Sequence, residues 1–460
     1  VLLLIFIAIL CSIISWRYPM AGLAIAINTH VFRSAAHAWI LGRPLVLGES
    51  GFEIYSAAFL VPALGIPLIK LAWKMATGVR TITTVRWNAM DAGLIGLSLA
   101  VLLGCLYAPD ADVANGIVIK FLGLGVIYYV FARGWMRYQT LPEVQADIFM
   151  KWTWYLALLA GFVAIIFPDL EPKTEELARL TTESANPIPF SLLMGTALLV
   201  NCYWLMERTK KTRIFRLTLL VSPAILIYFF VAANTRGPLV GFLVAFVFLV
   251  SGLLVQRKQV KTLIKIIAVV VFLIAVCWAV WDAAPDVYQR FGQRLDALVA
   301  GVDTVQEREA YYELAWLLFQ DALIFGVGTG GVTHYAGGYA HNIILEVAAE
   351  NGIIGLLPLL FFVGGIFYYY VFSALQKKEP LCIFFASCCI YYLVWGTASG
   401  TLFIMKYLYF VAGMLAFFAH YTGDRAKVPE ATVVQSTRSS AARPLESYWK
   451  TGAPNSYRKD

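Results

Sequence analysis

Long apolar runs alternate with short polar loops along almost the whole chain, and this alternation predicts the elements before any single residue is weighed. The runs fall at roughly 1–28, 52–73, 89–107, 115–132, 152–168, 188–206, 214–233, 236–255, 262–281, 343–373, 381–398 and 401–420. Most reach about 18 residues, the length at which a helix crosses the hydrocarbon core of a bilayer. Backbone groups inside a bilayer must pair within their own segment, so such runs fold as helices. The pattern predicts an all-α polytopic membrane protein with about 12 transmembrane helices. A split of the first run at Pro19, in "WRYP", would make thirteen, and both counts stand at this point.

Loop charge orients these segments. One set of loops is basic: Lys74 with Arg80 and Arg86, Arg133 with Arg137, "ERTKKTR" at 207–213, "QRKQVK" at 256–261 and "QKKEP" at 376–380. The intervening loops are acidic or neutral, "PDADVAN" at 109–115 and the stretch 168–187. The two sets alternate without a break, so the basic loops lie in the cytoplasm. Residues 29–51, 168–187, the tight turn at Asn234–Arg236 and the long segment 282–342 then face outward. The expected organisation is transmembrane helices, about one to ten, over 1–281; an outer helical segment over 282–342; the last transmembrane helices over 343–422; and a disordered cytoplasmic tail over 423–460, rich in Ser, Thr, Arg and Pro.

Composition sharpens the class. The chain is 60% hydrophobic and only 14% charged, against roughly 25% charged in soluble domains. Its net charge of +8 is concentrated on the cytoplasmic side, which suits orientation and anionic lipid; the expected partners are the bilayer and lipid-borne molecules, not nucleic acid. All seven cysteines sit inside apolar runs and are assigned no chemistry.

The polar residues that do not fit a plain membrane helix gather on the outer side. In "YAHNIILEVAAENGIIG", His341 and Asn342 stand just before a helix start, and Glu346 and Glu350 follow at i, i+4 spacing inside the apolar run. Neutral imidazole takes up protons near neutral pH; Asn342 is also a good N-cap. Glu346 suits the positive end of the helix, whereas Glu350 lies deeper, where an acid is costly. Arg236, in "NTRGP", lies at the outer end of two spans. An arginine within hydrocarbon costs on the order of 3 kcal/mol, so it is a candidate clamp for a diphosphate or carboxylate. Arg308, in the helical stretch "VQEREAYYELAWLLFQDALIFG", is a second candidate, with Glu307 and Glu309 as neighbours. Arg290 and Arg294, at i, i+4, form a basic face that would suit an anionic acceptor, and His334 is a further outer polar residue. "GVGTGG" at 326–331 follows no strand, so it reads as tight turns or close backbone approach. "DAD" at 110–112 has no completing ligand nearby, and the expectation is neither metal nor cofactor.

With these residues assembled, the chain resembles a known family. His341, Asn342, Gly352 and Gly355 fit the His-Asn-x9-Gly-x-x-Gly pattern of bacterial O-antigen ligases, and "NTRGP", the outer "ER…YY…W" helix and "GVGTGG" match the wider superfamily of ligases, O-antigen polymerases and O-oligosaccharyltransferases. The resemblance covers roughly 230–370. It implies a GT-C-type glycosyltransferase of the bacterial inner membrane with its site facing the periplasm. Its donor would be a glycan on undecaprenyl diphosphate, and for a ligase the acceptor is a sugar of lipid A-core in lipopolysaccharide biosynthesis. The resemblance further implies His341 as the catalytic base, Arg236 and Arg308 as diphosphate ligands, and chemistry without metal. Asn342, Glu346, Glu350, Gly352 and Gly355 would support them. The rivals are a polymerase or a protein O-oligosaccharyltransferase with the same donor, and a transporter of lipid-linked glycan, which would show paired repeats and mid-membrane breaks.

Overall fold

The computed structural model describes residues 2–32, 51–79, 87–139, 141–166, 168–170, 180–182, 187–207, 213–257, 260–283, 289, 305–375 and 380–421. The chain is a polytopic helical membrane protein. Among the described residues seven helices are long and apolar enough to cross a bilayer, and further apolar helices are shorter.

The chain opens with α1 (Leu2–Arg17) and α2 (Pro19–Ile27). Tyr18 leaves helical geometry at φ −133°, ψ 82°, and Pro19 starts the next helix, because the residue before a proline is pushed away from the α region. A Cβ on Gly22 would run into Ser15; in one straight helix these residues would be about 10 Å apart. The first apolar run is therefore two helices folded against each other, as the split at Pro19 anticipates.

Next come α3 (Gly51–Ala76), α4 (Ala89–Cys105), α5 (Ala111–Lys120) and α6 (Ile127–Arg137). A π-helical stretch, Phe121–Val126, joins α5 to α6, so 111–137 forms one span. Then follow α7 (Pro142–Ile166), β1 (Pro168–Leu170), β2 (Leu180–Thr182), α8 (Pro187–Glu207), α9 (Arg213–Ala232), α10 (Arg236–Arg257) and α11 (Val260–Ala283). β1 and β2 pair antiparallel, Asp169 opposite Thr181, as a small ribbon in a loop that the sequence reading leaves irregular. The chain closes with α12 (Val305–Asp321), α13 (Gly331–Ala336), α14 (Ile343–Leu375), α15 (Pro380–Ser399) and α16 (Lys406–Tyr421).

Helices α8 and α15 form the centre, each buried over 83% of its apolar window. Tyr391, Tyr392, Tyr407 and Trp204 fill the space between them and their neighbours. Large apolar side chains point outward elsewhere: Phe6, Ile69, Leu99 and Phe162 are each exposed, as lipid-facing residues are. One buried ion pair, Arg133 with Asp91, ties α6 to α4, and Tyr129 donates to the same carboxylate at 2.7 Å.

The expected single span at 343–373 is corrected. Gly352 adopts φ 60°, ψ −155°, which breaks α14 into a short half-helix, 343–351, and a long one, 353–375. The connection after α12 runs into this break. Ile353 and Ile354 donate their N–H groups to the carbonyls of Leu323 and Ile324 at 2.9 and 3.2 Å. Val327 and Gly328 donate to the carbonyls of Ala349 and Glu350 at 2.9 and 3.0 Å. Irregular backbone survives at membrane depth only where its polar groups are paired inside the protein, and here the loop supplies the partners. A Cβ on Gly352 would collide with the Ile324 carbonyl, and one on Gly326 with the Glu350 backbone. The last expected span also shifts: residues 400–405 form a short connection with a 3-10 turn, and the helix begins at Lys406.

Candidate functional site

The half-helix 343–351 begins where the sequence marks a start. Asn342 caps it, its Oδ1 accepting from Ile344 N–H at 3.0 Å and Leu345 N–H at 3.3 Å. The residue before it, His341, has a left-handed backbone at φ 54°. A histidine there is uncommon and strained, and its ring meets those of Tyr339 and Tyr311. The imidazole lies 4.2 Å from the Tyr339 ring and 5.7 Å from the Tyr311 ring, between α12 and the chain entering α14. Its Nδ1 is buried without a hydrogen-bond partner in the structure. Burial, and then the positive charge of Arg308, hold the imidazole below its ordinary pKa; both disfavour the imidazolium. At neutral pH the ring is an uncharged base.

Arg308, near the start of α12, is half-buried and donates from Nη1 to the carbonyl of Ala398 at 3.0 Å. Arg236 opens α10, directly after a turn in which Asn234 also takes the left-handed conformation at φ 51°. The next residue, Gly237, faces the same end of α15: a Cβ there would stand 3.6 Å from Ala398 Cβ and 3.7 Å from Ser399 Oγ. Gly396, one turn earlier, packs tightly on Met405 and adjoins the start of α14, a Cβ there standing 3.6 Å from Ile343 Cγ2. Three chain segments that carry His341, Arg308 and Arg236 thus converge on the last turn of α15. An α15 terminus also presents unpaired carbonyls, which suits the arginines gathered there.

Glu346 and Glu350, one turn apart on the half-helix, have different partners. Glu346 is 2% exposed. It accepts from Thr401 Oγ1 at 2.7 Å and from Leu402 N–H at 3.2 Å, tying the half-helix to the connection after α15. Glu350 accepts the backbone N–H groups of Gly330 and Val332, so the glycine loop wraps its carboxylate. Gly355 lies against Asn351 and Val347 within α14. Asn351 reaches Thr329 Oγ1 at 3.2 Å, and Thr329 in turn donates to Val101 of α4 at 2.9 Å. His334, on α13, is exposed and packs on Tyr335 rather than joining His341. Arg290 and Arg294 lie outside the described residues. Asp110, of the "DAD" stretch, is the N-cap of α5, accepting from Asp112 and Val113 N–H at 3.0 Å each.

Some contributors were not singled out from sequence. The 396–402 connection is the hub of the site, and its only signal is a run of small residues, "GTASGT", between two apolar segments. Tyr339 flanks the histidine; burial and then the nearby Glu346 raise its pKa, so it stays a neutral phenol. Asn234 is 3% exposed, and neither of its amide atoms has a partner among the described residues.

Residues 220–360 match the model of the O-antigen ligase family. This stretch is similar to the O-antigen ligase domain. The O-antigen ligase match runs from α9 to the middle of α14, so it takes in Arg236, Arg308, the glycine loop, His341 and the Gly352 break. No curated protein matches the chain significantly.

Proposed function

We propose that the chain is an O-antigen ligase that transfers polysaccharide from undecaprenyl diphosphate to a sugar hydroxyl of lipid A-core, at the periplasmic face of the bacterial inner membrane. The observation that carries this reading is the left-handed, half-buried His341, close enough to Arg308 to feel its charge, within the stretch that matches the O-antigen ligase family. In this reading His341 takes the proton of the acceptor hydroxyl as its oxygen attacks the anomeric carbon. The bond from that carbon to the diphosphate oxygen breaks, the diphosphate leaves with the electron pair, and the anomeric configuration inverts. Arg236 and Arg308 meet the growing charge on the leaving group in a partly dehydrated site, where such contacts are strongest. No metal takes part in these steps. Asn342 and Glu346 hold the half-helix and its neighbours in register. The architecture is of GT-C type, with 12 or 13 crossings according to whether α1 and α2 count as one or two.

The test is the lipopolysaccharide of a strain lacking this protein, complemented with wild type or His341→Ala and resolved on a gel. Core without polymer, accumulation of lipid-linked polymer, and rescue by wild type alone are expected. Core bearing a single repeat unit would make the protein a polymerase. An unchanged ladder would overturn both and leave protein glycosylation or transport.

A further inference from the structure

The end of the bundle opposite His341 holds a cavity of about 650 Å³ that the transfer chemistry does not use. It lies where the α1–α2 turn, the end of α3 and the α6–α7 connection meet. Its wall carries three cations, Arg17, Lys70 and Lys74. None of them pairs with a carboxylate among the described residues. Lys70 Nζ sits 4.4 Å from the Trp16 ring centroid and donates to the Trp16 carbonyl. Lys74 Nζ sits 4.7 Å from the Trp135 ring and donates to the Tyr138 carbonyl at 3.2 Å. Each ammonium has three donors, so the ring and carbonyl fix its place and leave it donors to spare.

Two further observations point to an absent ligand. Trp135, a residue of the cavity wall, is 3% exposed, and its buried Nε1–H has no hydrogen-bond acceptor among the described residues. Gln145, another wall residue, has a buried Oε1 without a donor among the described residues. Buried polar atoms are normally satisfied, and an unpaired one costs roughly 1–3 kcal/mol. The mouth is apolar on the lipid side: Trp16, Ile69 and Trp73 are 64%, 67% and 70% exposed. Tryptophans beside lysines mark the level of the headgroups, and the loop charges assign this end to the cytoplasm.

We propose that this cavity binds an anionic glycerophospholipid of the cytoplasmic leaflet. Its phosphate is held by Lys70, Lys74 and Arg17, and its acyl chains lie along Trp16 and Trp73. The phosphate and ester oxygens accept from Trp135 Nε1–H, and a headgroup hydroxyl donates to Gln145 Oε1. A glycerol headgroup supplies both kinds of group, which a free phosphate at neutral pH joined to no chain does only in part. Basic pockets between transmembrane helices hold anionic headgroups by this combination of charge and apolar contact.

The experiment is native mass spectrometry of the full-length protein in mild detergent, with phosphatidylglycerol or phosphatidylethanolamine of identical acyl chains added. Phosphatidylglycerol is expected to be retained at least about tenfold more strongly, and the Lys70→Gln/Lys74→Gln variant to lose that preference, two charges at the headgroup level being worth at least that ratio. Trp135→Phe, which keeps the cations, should also weaken retention. Equal retention of the two lipids by wild type overturns the proposal even if the double variant fails to fold. So does unchanged retention in the double variant. Full displacement of the lipid by millimolar inorganic phosphate would reassign the cavity to a free anion. The readout is lipid retention alone, so it stands whatever the glycan reaction proves to be.

Discussion

His341 combines three properties that seldom coincide: a left-handed backbone, a ring held uncharged by burial and a neighbouring arginine, and an Nδ1 with no partner. A base whose pKa is lowered stays neutral, and therefore competent, down to a lower pH than a free histidine. Transfer by purified protein is expected to persist at neutral pH and to fall as the pH drops through the lowered value. Arg308→Gln removes a charge that opposes the imidazolium, so the acid limb of the residual activity should shift to higher pH. An unshifted limb would mean that another group titrates. Asn234 gives a second test at this scale. Its left-handed φ and unsatisfied, buried amide both cost stability. Asn234→Gly relieves both, so its thermal midpoint should equal or exceed that of wild type. A fall in transfer of about tenfold or more (about 1.4 kcal/mol in the barrier) would identify the amide as a substrate contact, and full activity would make it a bystander.

At the scale of elements, the half-helix 343–351 is held from three sides: by Asn342 at its start, by Glu346 on the 401–402 connection, and by the glycine loop at its end. Glu346→Gln keeps the size but replaces an acceptor oxygen with a donor that faces the Leu402 N–H or the Thr401 hydroxyl. The expected result is a folded protein with transfer reduced severalfold, checked by comparing activity with the thermal midpoint. Gly352→Ala is a harsher change, because a side chain would both resist φ 60° and meet the Ile324 carbonyl. A loss of about 2–4 kcal/mol, seen as a lowered midpoint and poor yield, is expected. The positions of the helices were largely legible from hydropathy, and the cap at Asn342 from its residue type. The break was not, because a glycine inside an apolar run reads as ordinary in a membrane helix. What makes Gly352 different is the chain that arrives from residues 322–328, and long-range backbone pairing leaves no periodicity behind. The same holds for the 396–402 hub. Its role is to present carbonyls and allow close approach, and neither requires a distinctive side chain.

For the molecule as a whole, the two ends of the bundle differ in kind. One gathers His341 and the starts of α10 and α14 around the end of α15; the other gathers cations and tryptophans around a cavity. Toward the cavity end the buried Arg133–Asp91 pair joins α4 to α6. Asp91→Ala withdraws the carboxylate that faces this guanidinium, and removal of one partner of such a pair costs about 3–5 kcal/mol; thermal unfolding in detergent should register it. The seam at Gly352 has a consequence of another kind, for the order in which the protein is made. The N–H groups that close the outer arm belong to Ile353 and Ile354, while their acceptors, Leu323 and Ile324, leave the ribosome 30 residues earlier. The arm must therefore be made with these carbonyls open and wait for α14 to follow. A chain halted between residues 330 and 350 would hold Arg236 and Arg308 and still lack the segment that pairs with this arm.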